Sequence, residues 1–172
     1  MKTILNASQL QHTIVRLAHQ LLENSTSLVD TVFIGIQPRG VFVADQIVAA
    51  LKEIATTETI YYGMLDITFY RDDVRTELHE AKKTSIDFSI EGKRVVIIDD
   101  VLYTGRTIRA ALDALQDFGR PNKVELCVLV DRRFNRELPI QPDYAGIKID
   151  TQNSDMIKID WASGNVMLYQ QD

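Results

Sequence analysis

Asp99 and Asp100 are adjacent carboxylates, and Thr104-Gly105-Arg106-Thr107 follows them within a few residues. Upstream, Val95, Val96, Ile97 and Ile98 form a β-branched run that reads as a strand buried on both faces. Downstream, Ile108, Leu112 and Leu115 recur at helical spacing until Gly119 and Pro121, which predicts a helix over Arg106 to Phe118. The acids therefore end a strand, and the Thr-Gly-Arg-Thr run opens a helix. Free backbone N–H groups and the dipole at a helix start favour an anion. Thr104, Arg106 and Thr107 add side-chain donors there, and Gly105 lets a ligand approach the backbone closely. Phosphate is the natural occupant. Two acids next to it would repel a bare anion, so their partners are hydroxyl groups, a divalent cation, or both. A sugar phosphate meets both requirements. An isolated Asp-Asp pair is commonly no more than a solvated strand end; the helix start beside it makes this pair a candidate site.

Other elements must hold that unit in place. Lys2 to Leu5 fits a short strand, and Ser8 with Gln11 has the spacing of a capping box. Leu10, Ile14, Leu17 and Leu21 then mark one face of a helix running to Glu23, with His12, Arg16, His19 and Glu23 on the other, as a solvated surface or a partner site. Thr31 to Ile36 reads as a strand, followed by the loop Gln37-Pro38-Arg39-Gly40 and a helix from Val41 whose Val43, Ile47, Val48, Leu51 and Ile54 face inward. A strand over Thr59 to Phe69 is followed by a polar, charge-mixed run at 70–89, long enough to be a functional loop. The last core strand is Val124 to Val130; Phe134 to Asp150, with Pro139 and Pro142, reads as a structured excursion; Met156 to Trp161 and Asn165 to Tyr169 flank a hairpin turn. Alternating strands and helices of these lengths predict an α/β fold, with helices on both faces of a parallel central sheet.

At 172 residues the chain is about one domain long, and 45% hydrophobic content suffices for a core. No apolar run approaches the ~20 residues of a membrane span, so a cytoplasmic protein is expected. The single cysteine, Cys127, lies in an apolar run and reads as a core thiol. A net charge of -5 argues against generic attraction to nucleic acid, leaving room only for a local basic patch.

The run Val95 to Thr107 resembles the phosphoribosyl pyrophosphate (PRPP) signature of type I phosphoribosyltransferases, and its Val-Leu-Tyr-Thr-Gly-Arg-Thr wording resembles the PyrR family. Ile34 to Gly40, Asp66 to Asp73, Arg136 to Ile140 and Asp143-Tyr144 match in order. The resemblance implies one phosphoribosyltransferase domain over 1–172, with a flexible lid at 70–89, a small hood at 131–155 and a C-terminal hairpin. It implies an enzyme that converts uracil and PRPP to UMP and pyrophosphate with Mg2+, and one that also regulates pyrimidine operons by attenuation, binding leader mRNA as a homodimer or higher homo-oligomer. Asp99, Asp100 and Arg71 would be catalytic. Asp100, Val101, Leu102, Tyr103, Thr104, Gly105, Arg106 and Thr107 would hold PRPP. Pro38, Arg39, Gly40 and Arg71 would hold pyrophosphate, with the Pro38–Arg39 peptide expected in the cis form. Arg132 and Met156 would meet the base, Asp99 and Asp100 the metal directly or through water, and His12, Arg16, His19 and Arg136 the RNA. His79, in the lid, is expected to be solvated.

The chain departs from the PyrR pattern on the RNA side: Asp131-Arg-Arg-Phe-Asn-Arg-Glu137 is one residue longer than usual, Gln141 and Ile147 replace common basic residues, and Val15 replaces a frequent threonine. Two further readings follow, a protein that is mainly an RNA-binding attenuator and a purine phosphoribosyltransferase of the hypoxanthine type. The second is weakened by Asp131, where hypoxanthine enzymes often carry lysine.

Overall fold

A computed structural model describes residues 1–72 and 83–170. Five strands form a parallel sheet in the order β3-β2-β4-β5-β6: β2 Thr31–Ile36, β3 Tyr61–Leu65, β4 Arg94–Leu102, β5 Lys123–Arg133 and β6 Tyr144–Asp150. The helices are α1 Ala7–Glu23, α2 Gly40–Ile54 and α3 Arg106–Leu115. A separate antiparallel sheet, in the order β1-β8-β7, joins β1 Lys2–Leu5 to the hairpin of β7 Met156–Asp160 and β8 Asn165–Tyr169.

Alternation along the strands splits the core in two. Phe33, Val96, Ile98, Cys127 and Leu129 pack with α1, α2 and the small sheet. Ile34, Val95, Ile97, Leu126 and Val128 pack with α3 on the other face. From β2 the chain proceeds through α2 to β3 on one side, and from β4 through α3 to β5 on the opposite side. The loops after these neighbouring strands therefore diverge, and open α/β sheets bind ligands in the crevice made there.

Several expected boundaries move. The cap of α1 is Asn6, whose side chain accepts from the Gln9 amide while Gln9 returns a bond to the Asn6 amide. The capping box thus begins two residues before Ser8, because Asn6 is extended and Ala7 to Gln9 already wind. β3 ends at Leu65, and the aromatic residues beyond it wind into a 3-10 turn over Thr68–Tyr70. α3 ends at Leu115 and tightens into a 3-10 turn over Gln116–Phe118, and Leu112 is exposed rather than on the buried face. The expected hood shrinks: β5 runs on through Asp131, Arg132 and Arg133, and 144–150 is the fifth parallel strand, not part of an excursion. In that strand Tyr144, Gly146, Lys148 and Asp150 share one face, which is buried at Tyr144 and Gly146 and exposed at Lys148 and Asp150.

Of the expected lid at 70–89, residues 73–82, including His79, lie outside the described residues. The stretch leaving it is fastened: Ser85 bridges Met64, and the Asp66 amide donates to Thr84 Oγ1. Cys127 is a free, fully buried thiol, pushed up to about 12 by burial, as a core cysteine should be. Among the described residues no helix is long and apolar enough to cross a membrane.

Candidate active site

β4 carries Asp99 and Asp100 to its carboxyl end, where both are buried. The Asp99 carboxylate accepts the Asp100 amide at 2.9 Å, and the Asp100 carboxylate accepts the Val101 amide at 2.7 Å. These short-range bonds fix both side chains. Arg39, mostly exposed on the neighbouring loop, places Nε 3.2 Å from Asp100 Oδ2. Burial, followed by the charge of Asp100, holds the Asp99 carboxyl well above the usual carboxylate range. A group that resists ionisation when unliganded is ready for a hydroxyl donor or a cation, either of which would restore its charge.

Two loops bound the crevice. The first passes through a cis peptide at Gln37–Pro38, so the expected Pro38–Arg39 cis bond is corrected by one residue, onto an X-Pro bond where the cis form costs least. Gly40 then begins α2 against β4: a Cβ there would lie 2.7 Å from the Ile98 carbonyl and 3.0 Å from Asp99 Oδ1. The second loop leads into α3 through Gly105, whose φ of 95° suits glycine. Gly105 at the N-cap has no side chain to offer, the Arg106 amide makes only a long bond of 3.4 Å to Thr104 Oγ1, and Gly105, Arg106 and Thr107 all line the crevice.

Between the loops lies a cavity of about 470 Å3. It brings together Asp99, Arg39, Arg71, the run Val101 to Thr107, Arg132 and Met156, from five separate stretches of sequence. Pro38, Gly40 and Asp100, also expected at the site, are not among its lining residues. Arg132 stacks its guanidinium 3.9 Å from the centroid of the Tyr103 ring, and donates to Thr151 Oγ1 and the Gln152 carbonyl. Burial lowers its affinity for its proton.

Four lining or bracing residues were not singled out from sequence. Glu137 lines the cavity and binds Arg106 Nε at 2.6 Å; Asp72 binds both Arg106 and Arg109 at 3.2 Å; Ile108 and Ile157 complete the wall. Glu137 lies within the matched stretch Arg136 to Ile140 and Asp72 within Asp66 to Asp73, and that membership was the available signal. The residues grouped for RNA divide. His12, Arg16 and His19 lie exposed on α1, with Arg16 also donating to the Gly146 carbonyl. Arg136 is not with them: it is half-buried and bonded to Asp131, Tyr103, Arg132 and Ile140.

A switch-point crevice that joins an acid pair to a helix-start loop defines the phosphoribosyltransferase class, and the family model of the phosphoribosyl transferase domain matches residues 1–164. A protein named bifunctional protein PyrR from Actinobacillus pleuropneumoniae is 46% identical over 160 residues, covering 92% of this chain and 88% of the relative. Another from Picosynechococcus is 48% identical over 159 residues, covering 91% and 88%. The chain belongs to the PyrR family. Among solved structures, the hypoxanthine phosphoribosyltransferase of Trypanosoma cruzi aligns with a TM-score of 0.75 at 16% identity over 100% of this chain and 98% of that one. One from Staphylococcus aureus aligns at 0.69 with 23% identity, over 90% and 79%. At those identities the likeness shows the fold alone.

Proposed function

We propose that this chain is a uracil phosphoribosyltransferase, which converts uracil and PRPP to UMP and pyrophosphate, and that it also attenuates pyrimidine operons by binding leader mRNA in response to UMP. The observation that carries the enzymatic reading is the cavity in which a phosphate-type loop, Asp99 of the acid pair, Arg39, Arg71 and Arg132, and a partly apolar wall converge. Breaking the bond from C1 to pyrophosphate builds positive charge on the ribose ring, as in the oxocarbenium-like transition state of glycoside cleavage. Asp99 and Asp100 would hold the 2- and 3-hydroxyls and favour that charge, while the Thr104 to Thr107 loop anchors the 5-phosphate. Arg39 and Arg71 would meet the departing pyrophosphate. Uracil, held between Arg132 and Met156, would attack through its ring nitrogen, so the protein supplies no nucleophile.

Magnesium fits the donor set. Among the described residues no group of three or more acidic, histidine or cysteine side chains could hold a metal without further ligands. Two carboxylates at a phosphate site suit an ion that completes its shell with substrate oxygens and water. Asp99 and Asp100 would hold it directly or through water, and when bound it neutralises pyrophosphate oxygens. UMP formation from uracil and PRPP in the presence of magnesium tests this reading.

The regulatory half is supported by the exposed His12, Arg16 and His19 face of α1. In a homodimer, two such faces could join into one surface. Log K should fall with log salt by about 0.7–0.9 per phosphate contact, and with so few cations per subunit the total slope should be shallow. A salt titration on a pyrimidine operon leader, with and without UMP, tests it; steep, UMP-independent binding would count against it.

A further inference from the structure

Arg136 lies just past β5, in the segment one residue longer than the family pattern, and its guanidinium joins three separate stretches. Nε donates to the Ile140 carbonyl at 2.9 Å, Nη1 to the Tyr103 carbonyl and, at 3.2 Å, to the Arg132 carbonyl, and Nη2 pairs with the Asp131 carboxylate. Asp131 is buried, so this pair is shielded from solvent. The next two residues extend the attachment, because the amides of Glu137 and Leu138 both donate to the Thr104 carbonyl, at 3.0 and 3.2 Å.

These bonds fall on the back of the loop that opens α3. In a planar trans peptide, C=O and N–H point in opposite directions. Fixing the Tyr103 carbonyl toward Arg136 therefore turns the Thr104 N–H away from it, and fixing the Thr104 carbonyl sets the Gly105 N–H in the same manner. Thr104 and Gly105 line the cavity. Tyr103 also bears the Arg132 guanidinium on its ring, and Arg136 holds the Arg132 carbonyl. One side chain thus braces the phosphate loop and the wall opposite it.

We propose that Arg136 is a positioning residue for phosphoribosyl transfer, orienting the amides of the phosphate loop and tying that loop to the base wall, rather than a contact for nucleic acid. The inference rests on the reading of this cavity as a PRPP site. Its test is steady-state kinetics of Arg136→Gln and Arg136→Lys in the full chain, with thermal melts of each. Glutamine cannot reach four acceptors, so the KM for PRPP should rise about tenfold or more, with a smaller change in kcat. Lysine keeps the charge and should recover part of that loss. Asp131→Asn retains an acceptor oxygen and should raise the KM less than Arg136→Gln, giving a second readout should the arginine variants fold poorly. Inactive wild-type protein would remove the reading of the site itself. Active wild type with an unchanged PRPP KM in Arg136→Gln and Asp131→Asn, or a loss of RNA affinity in place of the kinetic change, would overturn the role given to Arg136.

Discussion

At the amino edge of the central sheet, Arg94 at the start of β4 brings Nη2 2.5 Å from Glu125 Oε2, while Lys123 reaches the other oxygen of Glu125 at 2.5 Å. The Tyr144 hydroxyl closes the group, lying 3.0 Å from Arg94 Nη2 and 3.4 Å from Glu125. At the carboxyl edge of the same strand, Asp99 and Asp100 are as deeply buried as Glu125, but two acids stand together and Arg39 reaches them from an exposed loop. The proton affinities diverge accordingly. Burial pushes Glu125 up, but Lys123 and Arg94 outweigh it and its carboxyl is lowered; burial and Asp100 together push Asp99 well up. Charge that is matched within the chain serves the fold. Charge left in excess at a cavity wall is matched by something that binds there.

The sharpest way to break this contrast is to neutralise the acids at each end. Asp99→Asn or Asp100→Asn should lower kcat for UMP formation by about 10²–10³-fold, the scale of losing one preorganised electrostatic group. Asp99→Asn should melt at a higher temperature than wild type at neutral pH, since it removes an acid whose burial beside Asp100 makes ionisation costly in the folded state and so opposes folding above the acid's unfolded value. A lower melting temperature would show that Asp99 is a structural acid like Glu125. Arg106→Ala should weaken PRPP binding by about tenfold, as for loss of one charge-assisted hydrogen bond, measured as KM or by calorimetry. The effect stays at that scale because Glu137 and Asp72 already hold the Arg106 guanidinium.

Glu125→Gln should behave in the opposite sense, costing about 3 kcal/mol of stability by leaving Arg94 poorly paired, with no change in the KM for PRPP. Its pH signature follows from the lowered carboxyl. Stability from Glu125 is present above its unfolded value, near 4.3, and is lost as pH falls through the folded value. The gap in melting temperature between wild type and Glu125→Gln should therefore close as the solution is acidified below about pH 4. Smallest of all, Arg109→Ala should change stability by about 0.5 kcal/mol or less, because its pairs with Asp72 and Asp113 are exposed.

The carboxyl edge was far more legible in the sequence than the amino edge. Val95 to Ile98, the acid pair and the Thr-Gly-Arg-Thr loop are contiguous, so local pattern alone places them. Arg94, Glu125 and Tyr144 meet only through strand register, and nothing local marks them as partners. The same limit hid Glu137 and Asp72, which find Arg106 from distant segments. β6 was missed because Pro139 and Pro142 precede it and one of its faces passes from buried Tyr144 and Gly146 to exposed Lys148 and Asp150, so no simple alternation marks it. Arg136 was grouped with α1 by charge and family likeness, whereas its acceptors become visible only once the fold brings Tyr103, Asp131 and Ile140 around it.

The account rests on the carboxyl-edge cavity being a site for PRPP and uracil. A base-competition assay tests it most directly: the protein with PRPP and magnesium is offered uracil, hypoxanthine and guanine together, and the nucleotide products are separated. UMP as the dominant product, lost in Asp99→Asn and retained in Glu125→Gln, is the predicted result. Preferred turnover of hypoxanthine or guanine with no UMP would contradict it.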